Sequence, residues 1–110
     1  MNSSTVNRVT LVGYCGETPE MIYIKSTGNP VCNFRVATHK NYKNKEGVNF
    51  EETIWHKVSA WNNLAEYVAE NVKKGSKLYI EGELSTSSYT TPQGVRKDSV
   101  SIQISELKVL

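Results

Sequence analysis

A chain of 110 residues is long enough for one hydrophobic core and too short for two. Its 13 Lys and Arg stand against 11 Asp and Glu, a formal charge of +2. That is too mild for bulk attraction to a polyanion, so any basic site has to be local. Met1 to Thr5 is polar with no apolar stretch behind it, and no run is long enough to span a bilayer. Neither a secretory signal nor a membrane partner is expected.

Val6 to Tyr14 is rich in aliphatic and β-branched residues, with Val9 and Leu11 on one face. Gly13 and Gly16 permit a bend, and Thr18-Pro19-Glu20 restarts an extended run through Ile24. Ser26 to Pro30 has the chemistry of a turn. Val31 to Thr38 reads as a strand with Cys32, Phe34 and Val36 inward and Asn33 and Arg35 outward. His39 to Asn49, polar and holding Lys40, Lys43, Lys45 and Gly47, reads as a long flexible loop.

The strand expected from Glu51 to Trp61 is the most informative segment. Ile54, His56, Val58 and Ala60 fall on one face, and Thr53, Trp55, Lys57, Ser59 and Trp61 on the other. The aliphatic side is the natural core side, which turns both indoles outward with a lysine between them. Flat aromatics interleaved with a cation suit a ligand that is planar and anionic, such as a single nucleic-acid strand. A packed second layer is the competing explanation, and Lys57, Thr53 and Ser59 argue against a dry one.

A helix follows. Asn62 or Asn63 can cap its start, Leu64, Ala65, Val68, Ala69 and Val72 repeat at helical spacing, and Lys73, Lys74 and Gly75 suit its end. Lys77 to Leu84 then places Leu78, Ile80 and Leu84 inward. A polar hairpin tip around Tyr89 to Gly94 leads to a last strand with Val100, Ile102 and Ile104 inward. Three strands, a helix and two strands is the element order of the five-stranded OB barrel, an all-β fold with one helix. A mixed sheet of other topology has the same periodicity.

Catalytic chemistry is not indicated. No serine, histidine and acid grouping or carboxylate pair presents itself, and Lys74-Gly75-Ser76 has the wrong order for a phosphate-binding loop. His39, His56, Cys15 and Cys32 lack the paired spacing of a zinc site, so no metal or cofactor is expected. Cys32 shares parity with Phe34 and Val36, as a small core residue would. Two cysteines are too few for a disulfide framework, which points to a reducing compartment.

Several blocks in order carry a family resemblance: Asn7-Arg8-Val9, Leu11-Val12-Gly13, Pro19-Glu20, Thr53 to Val58, Leu64-Ala65-Glu66, Lys74-Gly75-Ser76 and Tyr79 to Gly82. Together they resemble the bacterial-type single-stranded DNA-binding protein (SSB) family over nearly the whole chain. The resemblance implies a cytoplasmic, nucleoid-associated, non-enzymatic OB-fold protein, a homotetramer that coats single-stranded DNA in replication, recombination and repair. By position it makes Trp55, Trp61, Tyr42 and Tyr89 the stacking aromatics and Lys57, Lys43 and Lys74 basic contacts, with Arg35 joining them as a neighbouring cation. It places His56 and Tyr79 at or near a subunit interface.

The chain departs from the family pattern in three places. Ser85, Ser87 and Ser88 replace basic residues before the hairpin aromatic, and Tyr42 and Tyr89 stand where Trp is common. The sequence stops at Leu110 just after the last expected strand, so residues 1–110 read as a single OB domain with no linker or acidic tail. Tail-mediated recruitment of replication and repair proteins is therefore not expected. A primosome-type OB docking protein and a single-stranded RNA binder are the alternative readings.

Overall fold

The computed structural model describes residues 4–110, and its strands lie where the period-two alternation is strongest. In chain order they are β1 (Val9–Cys15), β2 (Glu20–Tyr23), β3 (Pro30–Lys43), β4 (Asn49–Trp61), helix α1 (Asn63–Asn71), β5 (Lys77–Thr90) and β6 (Arg96–Val109). β1 pairs antiparallel with β5, β5 with β6, and β3 with β4, while β4 and β6 meet in parallel at Val58↔Ile102 and Ser59↔Gln103. The circle closes where β1 reaches β3, at Tyr14↔Ala37 and Cys15↔Val36.

Closure needs a close backbone approach, and Gly13 supplies it. A Cβ there would collide with the Ala37 carbonyl oxygen. Beyond the bend, β2 continues along the same neighbour, from Glu20↔Asn33 to Tyr23↔Pro30. β1 and β2 therefore form one bent stave, and the barrel has the five staves of the expected OB order. The alternative topology is excluded by this closure.

Inward positions of every stave meet in one core. Cys32, Phe34, Val36, Val58, Ala60, Leu78 and Ile80 are buried, as alternation requires. Ala65 and Val68 of α1, with Val72 just past its end, seal it, each buried valine adding about 1.5 kcal/mol or more. Ala69 is exposed, because the contact stripe of so short a helix is narrow. The structure also corrects the capping expectation. Asn62 is the N-cap residue but makes no side-chain cap bond, and α1 ends at Asn71, before Lys73 and Lys74.

In β6 the inward set is Ile102, Ile104 and Leu107. The change of parity comes from a bulge, since Glu81 faces Glu106 while Gly82 faces Ile104, leaving Ser105 as the extra residue. Its hydroxyl donates to the Glu81 carbonyl at 3.1 Å.

Two long hairpins run past the rim of the barrel. The expected flexible loop from His39 to Asn49 is one of them: β3 and β4 stay in register to Lys43↔Asn49. Its tip is tied by the Asn44 side chain, whose Oδ1 accepts from the amides of Glu46 and Val48. Likewise Tyr89 lies in β5 rather than in the tip, and the turn proper is Thr91 to Val95, closed by Thr91 N–H to Val95 O at 2.8 Å. Ile54, Leu84 and Val100 have inward parity yet are exposed, because at their level no barrel remains beneath the sheet.

Candidate nucleic-acid interface

The outward face of β3 and β4 is built from paired positions. Continuous register puts Arg35 opposite Lys57 and Ala37 opposite Trp55, with Trp61 opposite Val31. Trp55 and Trp61 are 51% and 41% exposed, so no second layer from the described residues of this chain covers them. Ser59 on the same face is buried, and its hydroxyl donates to Asn33 Oδ1 at 2.5 Å.

Each indole is held in place. The six-membered ring of Trp55 rests on Gly16, in the bend between β1 and β2, and Arg35 Cζ stands over the ring at 5.4 Å from its centroid. Glu17 reaches Arg35 Nε at 3.5 Å, with both side chains about half exposed, so solvent screens most of that attraction. Trp61 donates from Nε1 to Gln103 Oε1 at 2.7 Å, which fixes the ring to β6. Both indoles are thus held in one orientation by their own chain, and a ring already held so loses little entropy when something packs on it.

Lys57 lies where β4 and β6 splay apart beyond their parallel bridge. A groove of about 260 Å³ opens there, lined by Trp55, His56, Lys57, Leu84, Val100, Ser101 and Ile102. Lys74 follows the helix, and its backbone N–H donates to Thr18 Oγ1 at 3.2 Å, docking this turn against the bend that carries Gly16. Lys43 shares the outward parity of Arg35 at the far end of the β3–β4 arm.

Tyr42 falls on the opposite face of that arm from Trp55, stacked on Phe50 with centroids 5.5 Å apart and planes 19° apart. Lys40 Nζ stands 5.8 Å from the Tyr42 ring. Sequence alone does not point to Phe50, and it gives Lys40 only as one of the loop cations. The register Tyr42↔Phe50 is what pairs the rings, and it shows only once the loop is recognised as a hairpin. Tyr89 is 53% exposed on the β5–β6 arm.

His56 and Tyr79 are not neighbours on one face. His56 has inward parity near the rim, with Nε2 2.9 Å from Thr38 Oγ1, and burial pushes its pKa below 6.5. Tyr79 lies on the outer wall between Val12 of β1 and Lys108 of β6. Its phenol is pushed up, first by a hydrogen bond to Glu81. Both thiols are buried and free, and burial is the main cause raising each pKa, which makes them poor nucleophiles. Among the described residues no cluster of three or more His, Cys, Asp or Glu is placed to hold a metal ion. No helix there is long and apolar enough to cross a membrane.

Fold and face together define a class: an OB barrel with ordered aromatics and cations on its outside. A model of the "Single-strand binding protein family" matches residues 6–110, and the chain belongs to that family. Proteins called "Single-stranded DNA-binding protein" from Neisseria meningitidis serogroups A and B are each 34% identical over 106 residues, 96% of this chain. The match covers 60% of those relatives' own length. Among solved structures, "Plasmodium falciparum SSB complex with ssDNA" superposes with a TM-score of 0.89 at 24% identity, over 100% of this chain and 99% of that one, which establishes the fold.

Proposed function

We propose that this chain binds single-stranded DNA without strong sequence preference, and does so without catalysing a reaction. The observation that carries this reading is the outward pair Trp55 and Trp61 with Arg35 and Lys57 between them. Every base has a π-face, so stacking tolerates any sequence, while a duplex keeps its bases stacked on one another. Tyr42, Tyr89, Lys43 and Lys74 extend the contact from the arms and the bend. Kinship with the meningococcal proteins, which are named for single-stranded DNA binding, supports the same reading. A place in replication, recombination and repair, in the cytoplasm at the nucleoid, belongs to this proposal.

Assembly into a homotetramer belongs to this proposal. The edge of β1 from Val9 to Gly13 that faces away from β5 has no strand partner among the described residues, and such an edge pairs readily with another copy. Val12 and Tyr79 lie side by side next to it, and Val12 is half exposed.

Titration of tryptophan fluorescence tests the binding. Oligo-dT is expected to quench strongly and duplex DNA weakly. Equal quenching by duplex, or none by oligo-dT, would overturn the stacking mechanism, and preference for oligo-rU would move the assignment to RNA. Light scattering should return four copies per particle, and a monomer at micromolar concentration would refute the tetramer.

A further inference from the structure

The positions before Tyr89 that would carry cations in the family hold Ser85, Ser87 and Ser88 instead, so the β5–β6 arm looks uncharged from its outgoing strand. Register gives a different picture. β5 and β6 pair without a shift from Gly82↔Ile104 to Thr90↔Arg96, so each face of the arm is continuous over that length. Tyr89 stands directly opposite Lys97. Toward the barrel the same face continues through Ser87↔Ser99 and Ser85↔Ser101 to Glu83↔Gln103. Gln103 Oε1 accepts the Trp61 indole N–H, and Gln103 Nε2 donates to Ser101 Oγ at 3.2 Å, so this is the outward face that carries the tryptophans.

Arg96 falls on the other face. Its Nη2 donates to Ser88 Oγ at 3.1 Å and its Nε stands 3.9 Å from Asp98, while Ser88 Oγ donates to Asp98 at 2.8 Å. That cation is already partnered on the far side of the arm. Lys97 is exposed, and its side chain has no hydrogen bond or ion pair among the described residues. The only acid at the outward positions between Tyr89 and Gln103 is Glu83, at the barrel end.

We infer that Lys97 is a phosphate-binding residue of the strand-binding face, supplied from β6 to the nucleotide whose base stacks on Tyr89. It takes over the work of the cations absent from β5. The row Ser85, Ser87, Ser99 and Ser101 forms a neutral hydroxyl path that leads a strand from Trp61 to the Tyr89–Lys97 pair. This inference rests on the proposed single-strand binding.

The parity of the arm makes Arg96 an internal control, since removing either residue deletes one positive charge one position apart. Affinities of the full chain for oligo-dT, measured across a salt series, compare wild type with Lys97→Gln, Arg96→Gln and Trp55→Ala. Lys97→Gln should reduce the salt slope by about 0.7, so that a tenfold rise in salt costs it about fivefold less affinity than wild type. Arg96→Gln should keep the wild-type slope. Equal changes in both variants, or no change in Lys97→Gln, would overturn the assignment while the Trp55→Ala loss upholds single-strand binding itself. Failure of wild type to bind oligo-dT would bring down both.

Discussion

Gly16 and Trp55 are in contact at a place where no larger residue fits. A Cβ built on Gly16 would overlap the six-membered ring of Trp55, and its separation from Cη2 would be only 2.9 Å. Gly16 is tied to the Arg35 carbonyl through its N–H at 2.9 Å, so the backbone cannot easily retreat and the indole has to move. Gly16→Ala should therefore cost binding without unfolding the barrel. The expected loss approaches that of Trp55→Ala, about 1–3 kcal/mol, a general figure for base stacking that already includes proteins of this class. Circular dichroism should be unchanged. Wild-type affinity for oligo-dT in Gly16→Ala would show that the ring position is immaterial.

Arg35 and Lys57 are direct cross-strand partners on the open face. Like charges in that relation destabilise a sheet by a few tenths of a kcal/mol, and Glu17 relieves only Arg35, across a screened gap. An arrangement costly to the free protein becomes favourable once a phosphate lies between the cations. Lys57→Thr should thus raise the melting temperature at low salt by roughly 1–4 °C and reduce the salt slope of binding by about 0.7. The stabilisation should fade in high salt, where the repulsion is already screened. A lower melting temperature together with unchanged binding would contradict both halves.

His56 links stability to pH. Burial holds its folded pKa below 6.5, so as pH falls the unfolded chain takes up the proton first. The stability tied to the neutral ring is complete above that unfolded value. It declines as pH drops through about 6.5 and levels off once the folded form is protonated as well. Thr38 Oγ1 at 2.9 Å offers the neutral ring a partner that His56→Gln can keep. Between pH 7.5 and 5.5 the denaturant midpoint should fall further in wild type than in His56→Gln. Parallel behaviour of the two proteins would rule out His56 as the source.

The faces of the strands were legible from residue type alone. Cys32, Phe34, Val36, Val58 and Ala60 lie inward, and Trp55, Lys57 and Trp61 outward, because alternating side chains divide between a dry side and a wet side. The helix was legible for the same reason at its own period, although its cap was not. A side-chain cap needs a local geometry that composition does not encode, and Asn62 adopts φ 57° with no such bond.

Tertiary structure alone decided how far the strands run and what stands across from what. Parity says which side Ile54, Leu84 and Val100 point to, but not that the barrel has ended beneath them. Tyr42 on Phe50, Trp55 on Gly16, Trp61 on Gln103 and Tyr89 opposite Lys97 join residues from 8 to 42 positions apart. Such pairs are set by strand register and barrel closure. Both are properties of the whole sheet, in which a one-residue slip would turn every side chain to the other face.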